Sequence, residues 1–141
     1  MATRLPSKEK IAGPNPVTRS KNKNMKFSLT IPCYNEEKTL PQLLESINKL
    51  DYPRNDFEII VIDNNCTDKT VEIARNFGVD KIVKEENQGL TWARQRGFLS
   101  ADGEIIGCID ADCQLPKNWL KNASKIFSNP KIIAISGPYD Y

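Results

Sequence analysis

At 141 residues, the chain is long enough for one domain with a hydrophobic core of useful size. Its 39% apolar and 27% charged residues are typical of a globular protein, and no apolar run is long enough to span a bilayer. It contains no histidine, and its four cysteines lack a Cys-x-x-Cys spacing, so a zinc site is not expected.

Positive charge is concentrated at the start of the chain. Residues 1–26 carry seven lysines and arginines but one acid, Glu9, which gives this segment +6 and leaves −4 for the rest of a chain with net charge +2. Because the segment has almost no apolar periodicity, residues 1–25 are predicted to be a disordered basic leader. No aromatic residues interleave with the basic ones, so no nucleic-acid partner is expected. An extension upstream of a start at Met25, or an expression leader, explains this composition better than a lipid-binding tail.

The spacing of apolar residues predicts strands and helices that alternate from residue 27 onward. The strands are expected at 27–32, 57–62, 81–83, 103–109 and 131–136. The first helix is expected after Thr39 as its cap, and the second after Thr67 or Asp68, closed by Gly78. The third spans 91–100, and the fourth opens at Pro116 and continues to Phe127.

Four strand–helix alternations with short connections predict an open, mostly parallel α/β sheet with helices on both faces. In such sheets ligands bind at the carboxyl ends of the strands. Polar clusters follow four of the predicted strands, at 34–36, 63–65, 87–89 and 110–112. The chain has neither a Gly-x-Gly-x-x-Gly motif nor a Gly-Lys-Ser/Thr motif, so neither a dinucleotide fold nor a P-loop is predicted.

The cluster Asp110-Ala111-Asp112 follows the most apolar of these strands. Alternation along a strand would send the side chains of Asp110 and Asp112 toward the same side, where two like charges repel unless they share a cation. Oxygen ligands suit Mg²⁺ or Mn²⁺, which proteins commonly share with substrate phosphates. The alternative is a solvated Asp-x-Asp turn, because Asp also favours turns.

The order of these motifs resembles the family 2 inverting glycosyltransferases, which have the GT-A nucleotide-sugar fold, a Rossmann-like sheet. The matching motifs are 31–37 (IPCYNEE), 61–70 (VIDNNCTDKT), 87–94 (NQGLTWAR) with Gly97, and 103–112 (GEIIGCIDAD). Four motifs in register are more specific than any one alone. The resemblance implies that residues 26–141 are the N-terminal, nucleotide-sugar-binding part of such a domain, incomplete at the C-terminus.

The resemblance also implies a set of nucleotide-sugar-binding residues: Pro32, Tyr34, Glu36, Asp63, Asn65, Gly89, Arg94, Asp110 and Ala111. Among relatives, the first three hold the base and ribose, Asp63 accepts a hydrogen bond from the base, and Arg94 lies near the nucleotide or its phosphates. Asp112 resembles the direct ligand of Mn²⁺ or Mg²⁺, with Asp110 on the ribose or a metal-bound water. The family often has Asp-Asp-Gly-Ser where this chain has Asp63-Asn64-Asn65-Cys66, which implies one fewer carboxylate near the nucleotide.

The resemblance implies metal-assisted, inverting transfer of a sugar, of the hexosyltransferase type, from a UDP- or GDP-sugar to an unidentified glycan, lipid or protein. The carboxylate that serves as general base in the family is expected beyond Tyr141. The alternative is therefore an incomplete fragment or pseudoenzyme that only binds nucleotide diphosphate and metal.

Two other enzyme and signalling classes fit the sequence less well. A sugar-phosphate nucleotidyltransferase would have a Gly-rich basic loop after the first strand, and a receiver-like domain would place its acids at the first strand instead of the fourth. Cys33 and Cys108 lie in apolar strands, where reduced, buried thiols are expected. A reducing, cytoplasmic location is therefore predicted, and association with a membrane through segments beyond Tyr141 stays open.

Overall fold

The computed structural model describes residues 1–4 and 24–137, which form one six-stranded sheet with helices packed on both faces. The strands are β1 (Ala2–Arg4), β2 (Phe27–Cys33), β3 (Phe57–Asp63), β4 (Lys81–Lys84), β5 (Ile105–Cys108) and β6 (Ala134–Ile135). Their order across the sheet is β4-β3-β2-β5-β1-β6. Strands β2 to β5 are parallel neighbours, whereas β1 runs antiparallel to both β5 and β6. The predicted mostly parallel α/β architecture is confirmed.

Four α-helices connect these strands, and a short 3₁₀ helix, Arg54–Asp56, precedes β3. They are α1 (Leu40–Asn48), α2 (Thr70–Asn76), α3 (Leu90–Ser100) and α4 (Trp119–Phe127). Thr39 occupies the predicted N-cap of α1, but its hydroxyl donates to the Glu36 carboxylate (2.6 Å) and accepts no helix amide. The N-cap of α2 is Lys69, one residue later than the predicted Asp68, whose carboxylate accepts the Thr70 amide (2.9 Å).

Two apolar layers bury the sheet. On one face, side chains of β2 and β3 pack against α1, α2 and α4, and all the apolar residues of α1 at 40, 43, 44 and 47 are buried. On the other face, Ile60, Ile62 and Ile106 pack against Ala93 of α3. Strand β2 is buried along its whole length because it lies between β3 and β5. A parallel strand covered on both faces explains its near-continuous apolar sequence.

The prediction of a disordered leader is wrong for the first residues of the chain. Residues 2–4 form β1, and Thr3 pairs with Ile106 of β5 on one side and Ala134 of β6 on the other. Ala2 is buried, and the Cys108 amide donates to the Met1 carbonyl (2.6 Å). The strand is built from backbone hydrogen bonds to segments about a hundred residues away, so local composition carries no sign of it. Residues 5–23 of the predicted leader lie outside the described residues.

The last predicted strand is shorter than expected. Only Ala134–Ile135 of the 131–136 segment are strand residues. The Ile133 carbonyl also accepts the Arg4 amide (3.2 Å), and the Ile132 amide closes a turn with the Asn129 carbonyl (3.1 Å). Apolar spacing along the fourth helix would place both Ile126 and Phe127 on its inward face, but Ile126 is 41% exposed, whereas Phe127 beside it is fully buried. The Arg4 guanidinium lies over the Phe127 ring and donates to the Phe127 carbonyl, which joins the end of α4 to β1.

Candidate functional site

The carboxyl ends of three neighbouring strands lie side by side. Cys33, Asp63 and Lys84 are paired in register at the ends of β2, β3 and β4. The loops that follow these strands, together with the 109–112 segment after β5, therefore meet at one edge of the sheet. The four polar clusters were predicted to lie at this edge, because each of them follows a strand.

Hydrogen bonds lock the loop after β2 to the loop after β3. The Asn35 side chain, on a residue with φ of 57°, accepts the Thr67 amide (2.8 Å). The Glu36 amide donates to the Thr70 hydroxyl (2.8 Å), and the Glu37 amide donates to the Asp68 carboxylate (3.1 Å). These contacts hold the backbone beneath Tyr34.

The three residues predicted to hold a base and ribose differ in their accessibility. Tyr34 is 54% exposed, so its ring is free to contact a ligand. Glu36 is half-buried, with its carboxylate accepting from Thr39, and Pro32 is buried within β2. Only Tyr34 of this group presents a large, uncovered surface at the sheet edge.

Asp63 is an ionised acceptor at the centre of the loops. One carboxylate oxygen accepts the Cys66 amide (2.8 Å), and the other pairs with the Lys84 ammonium (3.2 Å). Partial burial by itself would raise the pKa of Asp63, but the Cys66 amide and the Lys84 ammonium outweigh it, and the pKa lies below its usual value. Asp63 therefore keeps its negative charge at neutral pH.

Replacing Asp63 with asparagine is expected to remove stability that the protein has at neutral pH and loses in acid. Because folding lowers the pKa of Asp63 below its ordinary value of 3.8, the ionised carboxylate favours the folded state above that pH. The contribution is lost as the pH falls through the folded-state pKa. In urea unfolding, the difference in free energy of unfolding between the wild type and Asp63→Asn should shrink below about pH 4. A difference that keeps its size into strong acid contradicts this account.

The loop after β4 is held by two asparagines from the loop after β3. The Asn64 side chain is 3% exposed and contacts the backbone of three loop residues. Asn65, at φ of 65°, donates from its side chain to the Glu86 carbonyl (2.9 Å) and to Gln88 Oε1 (3.1 Å). Asn65, which is predicted to bind the nucleotide sugar, therefore uses its side-chain amide to hold the loop after β4 in this structure.

Glu85 is a buried carboxylate that the sequence analysis missed. It accepts the Asn87 amide (2.8 Å) and pairs with Arg96 Nε (2.9 Å). The Asn87 amide, followed by the Arg96 guanidinium, lowers the pKa of Glu85. The only signal in the sequence is its position directly after a short strand.

Arg94 and Asp110 form an ion pair across the site. Arg94 Nη2 lies 3.0 Å from Asp110 Oδ1, and both side chains are about two-fifths exposed. The Arg94 Nε atom is buried and has no hydrogen-bond partner among the described residues. The pairing joins two residues that the sequence assigned to one site without predicting their contact.

Asp112 is exposed, and Ala111 between the two aspartates is buried. Burial, followed by the charges of Asp112 and Asp110, raises the pKa of the Cys113 thiol, as expected if both carboxylates lie close to it. All four cysteines are free.

The carboxylates of Asp110 and Asp112 are suitable as two of the ligands of a divalent cation. Within residues 1–4 and 24–137, no group of three or more acidic, cysteine or histidine side chains is arranged to enclose a metal ion. Two carboxylates nevertheless suit Mg²⁺ or Mn²⁺, which are often bound by one or two protein carboxylates together with several waters and substrate phosphates.

Of the helices in the described part of the chain, none is long and apolar enough to cross a membrane.

The chain is similar in sequence to parts of known glycosyltransferases. The poly(ribitol-phosphate) beta-N-acetylglucosaminyltransferase TarS of Staphylococcus aureus is 35% identical over 105 residues, which are 71% of this chain and 18% of TarS. The glycosyltransferase AglE of Haloferax volcanii is 29% identical over 119 residues, which are 81% of this chain and 39% of AglE. The chain thus spans less than half the length of either relative.

Two of the matching solved structures illustrate the shared fold. TarS residues 1–349 in complex with UDP-GlcNAc match with a TM-score of 0.67 at 34% identity, over 74% of this chain and 31% of that one. The mannosyltransferase PcManGT of Pyrobaculum calidifontis, in complex with GDP-Man and Mn²⁺, matches with a TM-score of 0.73 at 28% identity, over 79% and 34%. The predicted GT-A fold is confirmed.

The family model described as glycosyl transferase family 2 matches residues 28–141, which include all four loops at the sheet edge. This match, the relatives and the shared fold agree with the four motifs. The chain therefore belongs to glycosyl transferase family 2.

Proposed function

We propose that the chain is the nucleotide-sugar-binding part of an inverting glycosyltransferase that transfers a sugar from a UDP- or GDP-sugar. The observation that carries this proposal is the meeting of Tyr34, Asp63, Arg94 and the Asp110–Asp112 pair at one sheet edge, in a chain similar to proteins solved with UDP-GlcNAc or GDP-Man. The acceptor is a hydroxyl group of a glycan, lipid or protein. The four free cysteines favour a reducing compartment such as the cytoplasm.

Each residue has a role that its surroundings support. The exposed Tyr34 ring packs against the base, and the ionised Asp63 accepts a hydrogen bond from a base N–H. The Arg94 guanidinium exchanges Asp110 for the diphosphate, because its fork can bind two phosphate oxygens and its Nε has no hydrogen-bond partner in the described part of the chain.

Asp112, with Asp110, holds Mn²⁺ or Mg²⁺. A cation held there would supply positive charge opposite the diphosphate leaving group. Once Arg94 binds the diphosphate, the Asp110 carboxylate is available to the cation or to the ribose.

Binding without transfer is the second candidate for these 141 residues. It is favoured by their coverage of 31–34% of the two solved relatives, since the rest of those proteins has no counterpart in the match. Release of UDP from UDP-GlcNAc, measured beside binding, distinguishes the two candidates.

The test is calorimetric titration of UDP and GDP with and without Mn²⁺, on the wild type and on Asp112→Ala. The matched control is Asp51→Ala. Asp51 is exposed and pairs with Lys121 (3.2 Å). It lies beside Asn24, which precedes β2, and so it is away from the carboxyl ends of the strands. We expect Mn²⁺-dependent binding of at least one nucleotide that weakens about tenfold or more in Asp112→Ala and stays unchanged in the control. A folded wild type that binds neither nucleotide, or an Asp112→Ala variant that binds as well as wild type, contradicts the proposal.

A further inference from the structure

The side chain of Asn64 is fully used inside the protein, although it directly follows β3 at the edge of the candidate site. It is 3% exposed. Its Nδ2 group donates to the Glu85 carbonyl (3.0 Å) and the Asn87 carbonyl (2.7 Å), and its Oδ1 atom accepts the Gly89 amide (2.9 Å). One carboxamide therefore satisfies backbone groups at both ends of the 85–89 loop.

Only a carboxamide can make this set of contacts at residue 64. Asparagine offers two N–H donors and a carbonyl acceptor, whereas an ionised aspartate of the same shape has acceptors only. An ionised aspartate here could not donate a hydrogen bond to the Glu85 or Asn87 carbonyl oxygen, so its negative charge would face two unpaired acceptors. The Asn64 amide is therefore matched to the loop and does not face a nucleotide.

The 85–89 loop controls where α3 begins. Gly89 is the N-cap of α3 and has φ of 135°, a conformation that is essentially restricted to glycine. The Gly89 carbonyl accepts the Ala93 amide (3.1 Å) in the first turn of the helix. Arg94 is the next residue of the helix and contacts Asp110 (3.0 Å). A displaced Gly89 would displace the Arg94 guanidinium.

We propose that Asn64 is a positioning residue, which fixes the 85–89 loop and the start of α3 so that Gly89 and Arg94 are in place for the donor diphosphate. The inference rests on the proposed nucleotide-sugar site and adds a residue to it that touches no ligand. It also explains the departure from the common family sequence at this position: the amide is required by the loop, and the exchange does not remove a carboxylate from the nucleotide.

The test uses Asn64→Asp and Asn64→Ser, with Asn122→Asp as the matched control. Asn122 is exposed on α4, far along the chain from the loop, and it undergoes the same chemical change as Asn64→Asp. Serine keeps one donor and serves if Asn64→Asp does not fold. Two quantities are measured on folded protein: hydrogen exchange of the Gly89 amide, and UDP affinity with Mn²⁺ across the pH range.

At neutral pH, Asn64→Asp should weaken UDP affinity about tenfold and speed Gly89 exchange by at least as much, because a buried hydrogen-bonding set is lost. Acidification protonates residue 64 in this variant and restores one donor, so its affinity relative to wild type should recover as the pH falls toward about 5. Loss of global stability alone would not change the affinity of the folded protein or produce this recovery. Asn122→Asp should match wild type at every pH.

UDP affinity within twofold of wild type in a folded Asn64→Asp variant overturns the proposal. Unchanged Gly89 exchange in both Asn64 variants also overturns it. If wild type binds GDP but not UDP, the same comparison is made with GDP. If it binds neither nucleotide, the proposed function fails first, and the exchange measurement still decides whether Asn64 fixes the loop.

Discussion

Replacing Phe127 with alanine is expected to lower the free energy of unfolding by about 3–5 kcal/mol. Phe127 is fully buried at the end of α4, where it packs in the main core and lies beneath the Arg4 guanidinium. The substitution leaves a cavity between the helix and the sheet and removes the surface on which Arg4 rests. Urea unfolding followed by circular dichroism measures the loss.

Ile126→Ala is the control for that change, because Ile126 is the neighbouring residue on the same helix but is 41% exposed. Its substitution should cost no more than about 1–2 kcal/mol, since only part of its side chain is buried. Equal losses at 126 and 127 would mean that α4 does not pack against the sheet through Phe127.

Replacing Gly103 with alanine should lower the free energy of unfolding by about 2–3 kcal/mol. A Cβ atom at residue 103 would lie 2.7 Å from the Phe27 carbonyl carbon and from the Ser28 amide nitrogen, both backbone atoms that cannot turn aside. The Gly103 amide also donates to the Ser28 hydroxyl (2.7 Å), which in turn donates to Glu58 (2.5 Å). A backbone shift that relieved this clash would therefore also disturb the hydrogen bond between Ser28 of β2 and Glu58 of β3. Thermal unfolding reports the loss.

Gly137→Ala provides the comparison for Gly103→Ala, because a Cβ atom at residue 137 meets no atom of residues 1–4 or 24–137 within 4 Å. It should leave the melting temperature unchanged within error. A Gly103→Ala variant as stable as Gly137→Ala would show that the loop before β5 does not approach β2 as closely as described.

Local sequence patterns predicted those elements that bury a face of their own. In α1, apolar residues at 40, 43, 44 and 47 recur at helical spacing, and all of them are buried. Strands β2 and β3 were equally predictable from their apolar runs. β1 was not, because Ala2–Arg4 has no such pattern and owes its structure to partners in β5 and β6.

The location of the candidate site was predictable for a topological reason. Parallel strands end at one edge, so the loops after them had to meet there. The contacts between those loops were not predictable, since Asn64 holds residues 21 to 25 positions away and Arg94 pairs with Asp110 across 16 positions. Family resemblance named Asp63 and Arg94 but could not show that Lys84 and Asp110 would already occupy them.

The position of Met1 has a practical consequence for anyone who labels or immobilises this protein. Strand β1 runs antiparallel to β5, and the Met1 ammonium group donates to the Cys108 carbonyl (3.0 Å). Residues fused in front of Met1 would continue along Ile109 toward Asp110 and Asp112. An affinity tag at this end would therefore place foreign backbone, and in a polyhistidine tag its metal-binding imidazoles, beside the carboxylates whose metal affinity is to be measured. A tag at the other end, or one that is cleaved before titration, keeps that measurement clean.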